Sequence, residues 1–130
     1  MTMTDAPKKV LIVENDAVQR DLIVMAIQRL GCEAIPTSNA MKVLGLFVEH
    51  QPLVVLMDVY LPQKNGFDVL QSLKKLPGFA ETNVIMISAM GFSEVVNKAA
   101  ELGAKGFLVK PIDIDLLVER VKPFLTEKTN

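Results

Sequence analysis

Residues 54–66 read Val-Val-Leu-Met-Asp-Val-Tyr-Leu-Pro-Gln-Lys-Asn-Gly, and the fold follows from how this stretch is arranged. An unbroken apolar run ends in one carboxylate, Asp58; Pro62 follows four residues later and Gly66 four after that. A run with no polar alternate reads as a strand covered on both faces, as in a parallel α/β sheet. The residue after such a strand lies at the carboxyl edge of the sheet, where open α/β folds gather ligand-binding and catalytic groups.

The rest of the chain repeats this rhythm. Lys8–Val13 is a short β-branched run followed at once by Glu14-Asn15-Asp16. From Ala17 to Leu30 the apolar spacing is helical, with Asp16 as a candidate N-cap and Gly31 as the stop. A second strand spans Glu33–Pro36, and Ser38 or Asn39 caps a helix over Ala40–His50. Pro52 breaks that helix before the central strand. A third helix covers Phe67–Leu76 and is closed by Pro77-Gly78. Val84–Ile87 is the fourth strand, Phe92–Leu102 the fourth helix with Gly103 as its stop, and Gly106–Val109 the fifth strand. Asp113 or Asp115 caps a last helix reaching about Leu125, which Pro123 should kink or loosen near Glu119–Lys122. Five strands alternating with five helices form a doubly wound parallel sheet with right-handed crossovers. Residues 1–7 read as a flexible leader, 8–127 as one domain and 128–130 as a tail.

Composition narrows the chemistry. A chain of 130 residues with 22 % charged side chains has the core of an ordinary domain, and its net charge of −1 gives no general attraction to nucleic acid or anionic membrane. The single cysteine, Cys32, excludes an internal disulfide and suits a reducing, cytoplasmic setting. His50 is the only histidine and reads as a helix C-terminal residue, so the usual zinc ligand set cannot be built. No Gly-rich phosphate loop is present, and Glu14-Asn15-Asp16-Ala17 has the wrong charge for the phosphate loop of a flavin carrier. No apolar run is long enough to span a membrane as a helix.

The polar residues after the strands should meet at one edge if strand one lies beside strand three. Asp58, Glu14-Asn15-Asp16, Ser88-Ala89 and Lys110-Pro111 then converge. Clustered carboxylates need neutralising. A hard divalent cation such as Mg²⁺, with Lys110 as a fixed positive partner, answers that need. Carboxylate, Mg²⁺, hydroxyl and lysine around one point make a phosphoryl-transfer site, with Asp58 able to act as nucleophile.

At this point the sequence resembles the receiver domains of two-component response regulators, in particular chemotaxis-type single-domain receivers. Val10–Asp16 (VLIVEND) looks like the first strand with its acidic pocket, and Leu56–Gly66 is similar to the phosphoacceptor strand and its loop. Met86–Gly91 (MISAMG) resembles the strand with the switch hydroxyl, and Phe107–Pro111 (FLVKP) the strand ending in lysine and proline. The separations, 30 residues from Asp58 to Ser88 and 22 from Ser88 to Lys110, also fit.

The resemblance implies a flavodoxin-like fold of strand order 2-1-3-4-5, and a phosphoryl group passed from a histidine kinase or histidine phosphotransfer protein to Asp58. It implies Mg²⁺ held by Asp58, the Tyr60 backbone carbonyl and Asn15, with Glu14 acting through water and Asp16 as a further candidate. It gives Lys110 and Ser88 catalytic roles, makes Ser88 and Phe107 a switch pair, and sets a cis peptide before Pro111. The domain would catalyse only its own phosphorylation and dephosphorylation. It would signal through protein contacts on the face of helix four, strand five and helix five. One departure concerns charge: Asn15 stands where the family has its direct carboxylate ligand, which weakens Mg²⁺ binding and leaves a phosphorylation-independent pseudo-receiver as the alternative reading. Another is apolar surface at Leu46, Val48 and Leu53, read as a stripe suited to a homodimer.

Overall fold

In the computed structural model, which describes residues 7–125, the central strand β3 (Val54–Asp58) has every residue buried. On one side of it lies β1 (Lys9–Val13), and beyond that β2 (Glu33–Thr37); on the other lie β4 (Asn83–Ser88) and β5 (Gly106–Val109). All pairings are parallel and the order is β2-β1-β3-β4-β5, as expected of a flavodoxin-like sheet. Side chains alternate across the sheet, so both layers are cores. Val10, Ile12, Leu56 and Ile85 face α1 (Ala17–Arg29) and α5 (Ile114–Leu125). Leu11, Val13, Val55, Met57 and Met86 face α2 (Val43–His50), α3 (Gly66–Leu73) and α4 (Ser93–Glu101).

The caps resolve the alternatives that the sequence left open. Asp16 accepts from Gln19 N and so is the N-cap of α1. Asn39, not Ser38, caps the second helical segment, by accepting from Met41 N. That segment divides into a 3₁₀ turn, Ala40–Lys42, and α2, instead of running as one helix. Asp113 accepts from the backbone of Asp115 and Leu116 and starts α5. Helix α3 stops at Leu73, short of the expected Leu76; Lys75 N and Leu76 N bond three residues back, to Ser72 and Leu73, and the chain reaches Pro77 and Gly78, whose φ is 93°. Helix α5 is not broken by Pro123. The ring lies in the last turn, where it removes one hydrogen bond to the Glu119 carbonyl, and the helix runs unbroken to Leu125.

The apolar stripe expected at Leu46, Val48 and Leu53 does not exist as one surface. Leu46 packs on the core beneath α2, Leu53 on the core of the opposite layer, and Val48 alone is exposed. The basis for a homodimer through that stripe is thereby removed. Residues 1–6 and 126–130, most of the expected leader and tail, lie outside the described residues.

Candidate active site

Sheet register assembles the site. Val13 pairs with Met57, Asp58 with Ile87, and Ser88 with Val109. The residues that end or follow β1, β3, β4 and β5 are therefore neighbours at the carboxyl edge: Glu14, Asp58, Ser88 and Lys110. Glu14 and Ser88 are wholly buried and Asp58 is 4 % exposed.

One ammonium ties the carboxylates together. Lys110 Nζ donates to Asp58 Oδ2 at 2.5 Å and to Glu14 Oε2 at 3.1 Å. Burial alone would lower the lysine pKa, but these hydrogen bonds, Asp58 first and Glu14 second, hold it above its ordinary value. Glu14 Oε2 also accepts from the Asp16 backbone N at 2.9 Å. Glu14 Oε1 is buried and takes no hydrogen bond among the described residues. Asp58 Oδ1 accepts from Tyr60 N at 3.3 Å.

Other expected site residues fall into place around this centre. Ser88 Oγ accepts from Met90 N at 3.0 Å, which leaves its own proton free to be donated outward. Ala89 beside it is exposed and small. Tyr60 is half exposed and bridges to Asn65, closing the loop after β3. Asn15 lies exposed at the mouth, whereas Asp16 spends its Oδ1 on the α1 cap. Phe107 is half-buried against the α2–α4 core, and the Lys110–Pro111 peptide is cis.

Two contributors escaped the sequence reading. Arg20 Nη1 donates to the Glu14 carbonyl at 2.9 Å and clamps the loop after β1 from inside α1. Its signal was faint: a cation four residues after the N-cap, on the turn that faces back to the loop. Gln63 Oε1 accepts from Ala40 N, tying the loop after β3 to the start of the second helical segment.

A cavity of about 920 Å³ lies at the other end of the sheet between Lys9, Leu53, Lys105 and Phe124. Its walls bring together no linked acid and base among the described residues, whereas the carboxyl edge links Lys110 to Asp58 and Glu14.

The sequence profile of the response regulator receiver domain matches residues 10–122, which include every residue of this edge. The chain belongs to that family. It is 31 % identical to the polar-differentiation response regulator DivK of Brucella anthropi over 119 residues, covering 92 % of this chain and 97 % of that protein. Identity to the chemotaxis protein CheY of Bacillus subtilis is 32 % over 118 residues, covering 90 % and 97 %. The solved structure of Vibrio cholerae CheY4 superposes with a TM-score of 0.86 at 23 % identity, over 92 % of this chain and all of that one, a likeness of fold.

The chain is thus a phosphoacceptor signalling module of the receiver kind. Receivers in general use Mg²⁺. The donors of this pocket are hard oxygens, and Glu14 Oε1 is buried with no hydrogen-bond donor among the described residues, which is compatible with a hard cation. Among the described residues no group of three or more His, Cys, Asp or Glu side chains could hold a metal, so the carboxylate set is smaller than the resemblance implies. No helix among the described residues is long and apolar enough to cross a membrane.

Proposed function

We propose that Asp58 is the phosphoacceptor, with a histidine kinase or histidine phosphotransfer protein as donor. The observation that carries this is the Lys110 ammonium held between Asp58 and Glu14 at the carboxyl edge of the sheet. An Asp58 carboxylate oxygen attacks the phosphorus of a phosphohistidine. The new O–P bond forms as the P–N bond breaks, and the electron pair returns to the imidazole. Lys110 balances the Asp58 charge at rest and follows it onto a phosphoryl oxygen. The free proton of Ser88 is then donated to another phosphoryl oxygen, in the room that Ala89 leaves. Asp58, the Tyr60 carbonyl, Asn15 and Glu14 are the residues at hand for Mg²⁺, which when bound would neutralise charge on the phosphoryl oxygens. Phe107 reports the Ser88 movement, and the target docks on the α4–β5–α5 face, where Phe92 and Val109 expose apolar surface. The setting is cytoplasmic.

The test is incubation with acetyl phosphate and Mg²⁺ followed by mass spectrometry. Wild type gains one phosphoryl group and Asp58→Asn gains none. An unlabelled wild type beside a labelled control receiver overturns the reading. One observation favours a second reading, a pseudo-receiver that signals without phosphorylation: Asn15 brings no charge to the pocket. In that case Asp58→Asn leaves partner binding and cellular output unchanged.

A further inference from the structure

We propose that Glu14, through Oε1, is the carboxylate that enters the metal's inner shell in this chain, supplying the charge that Asn15 lacks. The proposal rests on the reading of this pocket as a Mg²⁺-using phosphoacceptor site. Glu14 is wholly buried, and one of its two oxygens is fully engaged, by Lys110 Nζ and by the Asp16 backbone. The other is equally buried and has no donor among the described residues. A carboxylate oxygen removed from water and left without a donor is costly, so this position favours an arriving cation.

The competing side chains are less suited. Asn15 is exposed, and its amide offers a dipole where Glu14 offers a charge. Arg20 donates to the Glu14 and Asn15 carbonyls, at 2.9 Å and 3.4 Å, so the backbone on both sides of Asn15 is tied while the Glu14 side chain is buried. Asp16 has its Oδ1 committed to Gln19 N. Glutamate is also one methylene longer than aspartate, which lets an inward side chain at this position reach both the ammonium and a metal beside Asp58. Mg²⁺ is content with one or two carboxylates and completes its octahedron with water, so Glu14 and Asp58 suffice.

The experiment titrates Mn²⁺, as a spectroscopic stand-in for Mg²⁺, into the full chain without phosphodonor, counting free Mn²⁺ by electron paramagnetic resonance. Glu14→Gln should raise the Kd by about ten- to a hundredfold, the scale of a lost charge-assisted contact, and Asn15→Ala by much less. Thermal melting confirms that each variant is folded. Should Glu14→Gln not fold, Glu14→Asp decides: it keeps the charge and withdraws the oxygen, so a weakened Mn²⁺ affinity supports direct ligation and an unchanged one overturns it. Affinity that survives Glu14→Gln but falls with Asn15→Ala overturns the proposal, as does a wild type that binds no Mn²⁺. Either result leaves acetyl phosphate labelling of Asp58 to be judged by mass. Failed labelling in a protein that binds Mn²⁺ through Glu14 overturns the phosphoacceptor reading instead and supports this one.

Discussion

The Lys110 side chain is four-fifths buried, and its ammonium keeps its proton because Asp58 and Glu14 both bind it. Removing it leaves Glu14, which has no exposure, as an uncompensated charge. Loss of one partner of a fully buried pair costs about 3–5 kcal/mol; the partial exposure of the ammonium reduces this to about 1–3 kcal/mol for Lys110→Met. The pH dependence follows from the direction of the shift. The folded-state pKa is raised above the ordinary 10.5. The stabilisation is therefore complete below the unfolded value and is lost as pH rises through the folded one. Urea midpoints should differ most between wild type and Lys110→Met at neutral pH and converge in strong alkali. A constant difference across that range would show that the cost comes from packing rather than charge.

Legibility at this scale divides along the same lines. Asp58 and Lys110 stood out because each ends an apolar strand with a charge that packing has no use for. The contact between Glu14 and Lys110 did not, because it joins residues 96 apart and is visible only once β1 and β5 have been placed on either side of β3 and β4.

Among the elements, the junction from β3 into α3 has the least slack. Gly66 N donates to the Val59 carbonyl at 2.6 Å, and a Cβ at Gly66 would collide with the backbone carbonyl of Asp58 itself. Neither atom can yield without moving the strand end that carries Asp58, the proposed phosphoacceptor. Gly66→Ala should cost about 1–3 kcal/mol, the range for overpacking, and should slow acetyl phosphate labelling more than it lowers the melting temperature suggests. A variant that labels at the wild-type rate would show that the strand end is insulated from the start of α3. Element boundaries were the least legible part of the fold. The second helical segment splits after Asn39 and α3 ends early in the tight turns leading to Pro77 and Gly78, local features that apolar periodicity does not register.

At the scale of the whole molecule, the order of the sheet was readable because β1, β3, β4 and β5 are marked by apolar runs, β2 by its place between two helices, and each connection is long enough for a crossover helix. Surface was harder to read. Leu46 and Leu53 fall in opposite layers, and no spacing rule reveals this across the intervening turn at Gln51, whose φ is 47°. The exposed apolar line that does exist runs along α1, through Val18, Leu22 and Met25, directly after the Asn15–Asp16 loop at the pocket mouth. We expect a protein phosphodonor to rest on this line and a small phosphodonor to bypass it. Leu22→Lys should change stability by no more than about 0.5 kcal/mol, as surface substitutions do. It should slow transfer from a cognate phosphohistidine protein while labelling by acetyl phosphate proceeds as in wild type. Equal slowing of both would place the effect inside the pocket.

The sharing of one ammonium by two distant carboxylates also has a bearing on how the protein comes into being. Glu14 is synthesised first, Asp58 next, and Lys110, 52 residues after Asp58, only when the final strand is made. Before β5 takes its place beside β4, no Lys110 ammonium stands between the two carboxylates. The charge that closes the acidic edge therefore comes from the end of β5, so a chain truncated before β5 lacks the one ammonium that both carboxylates share.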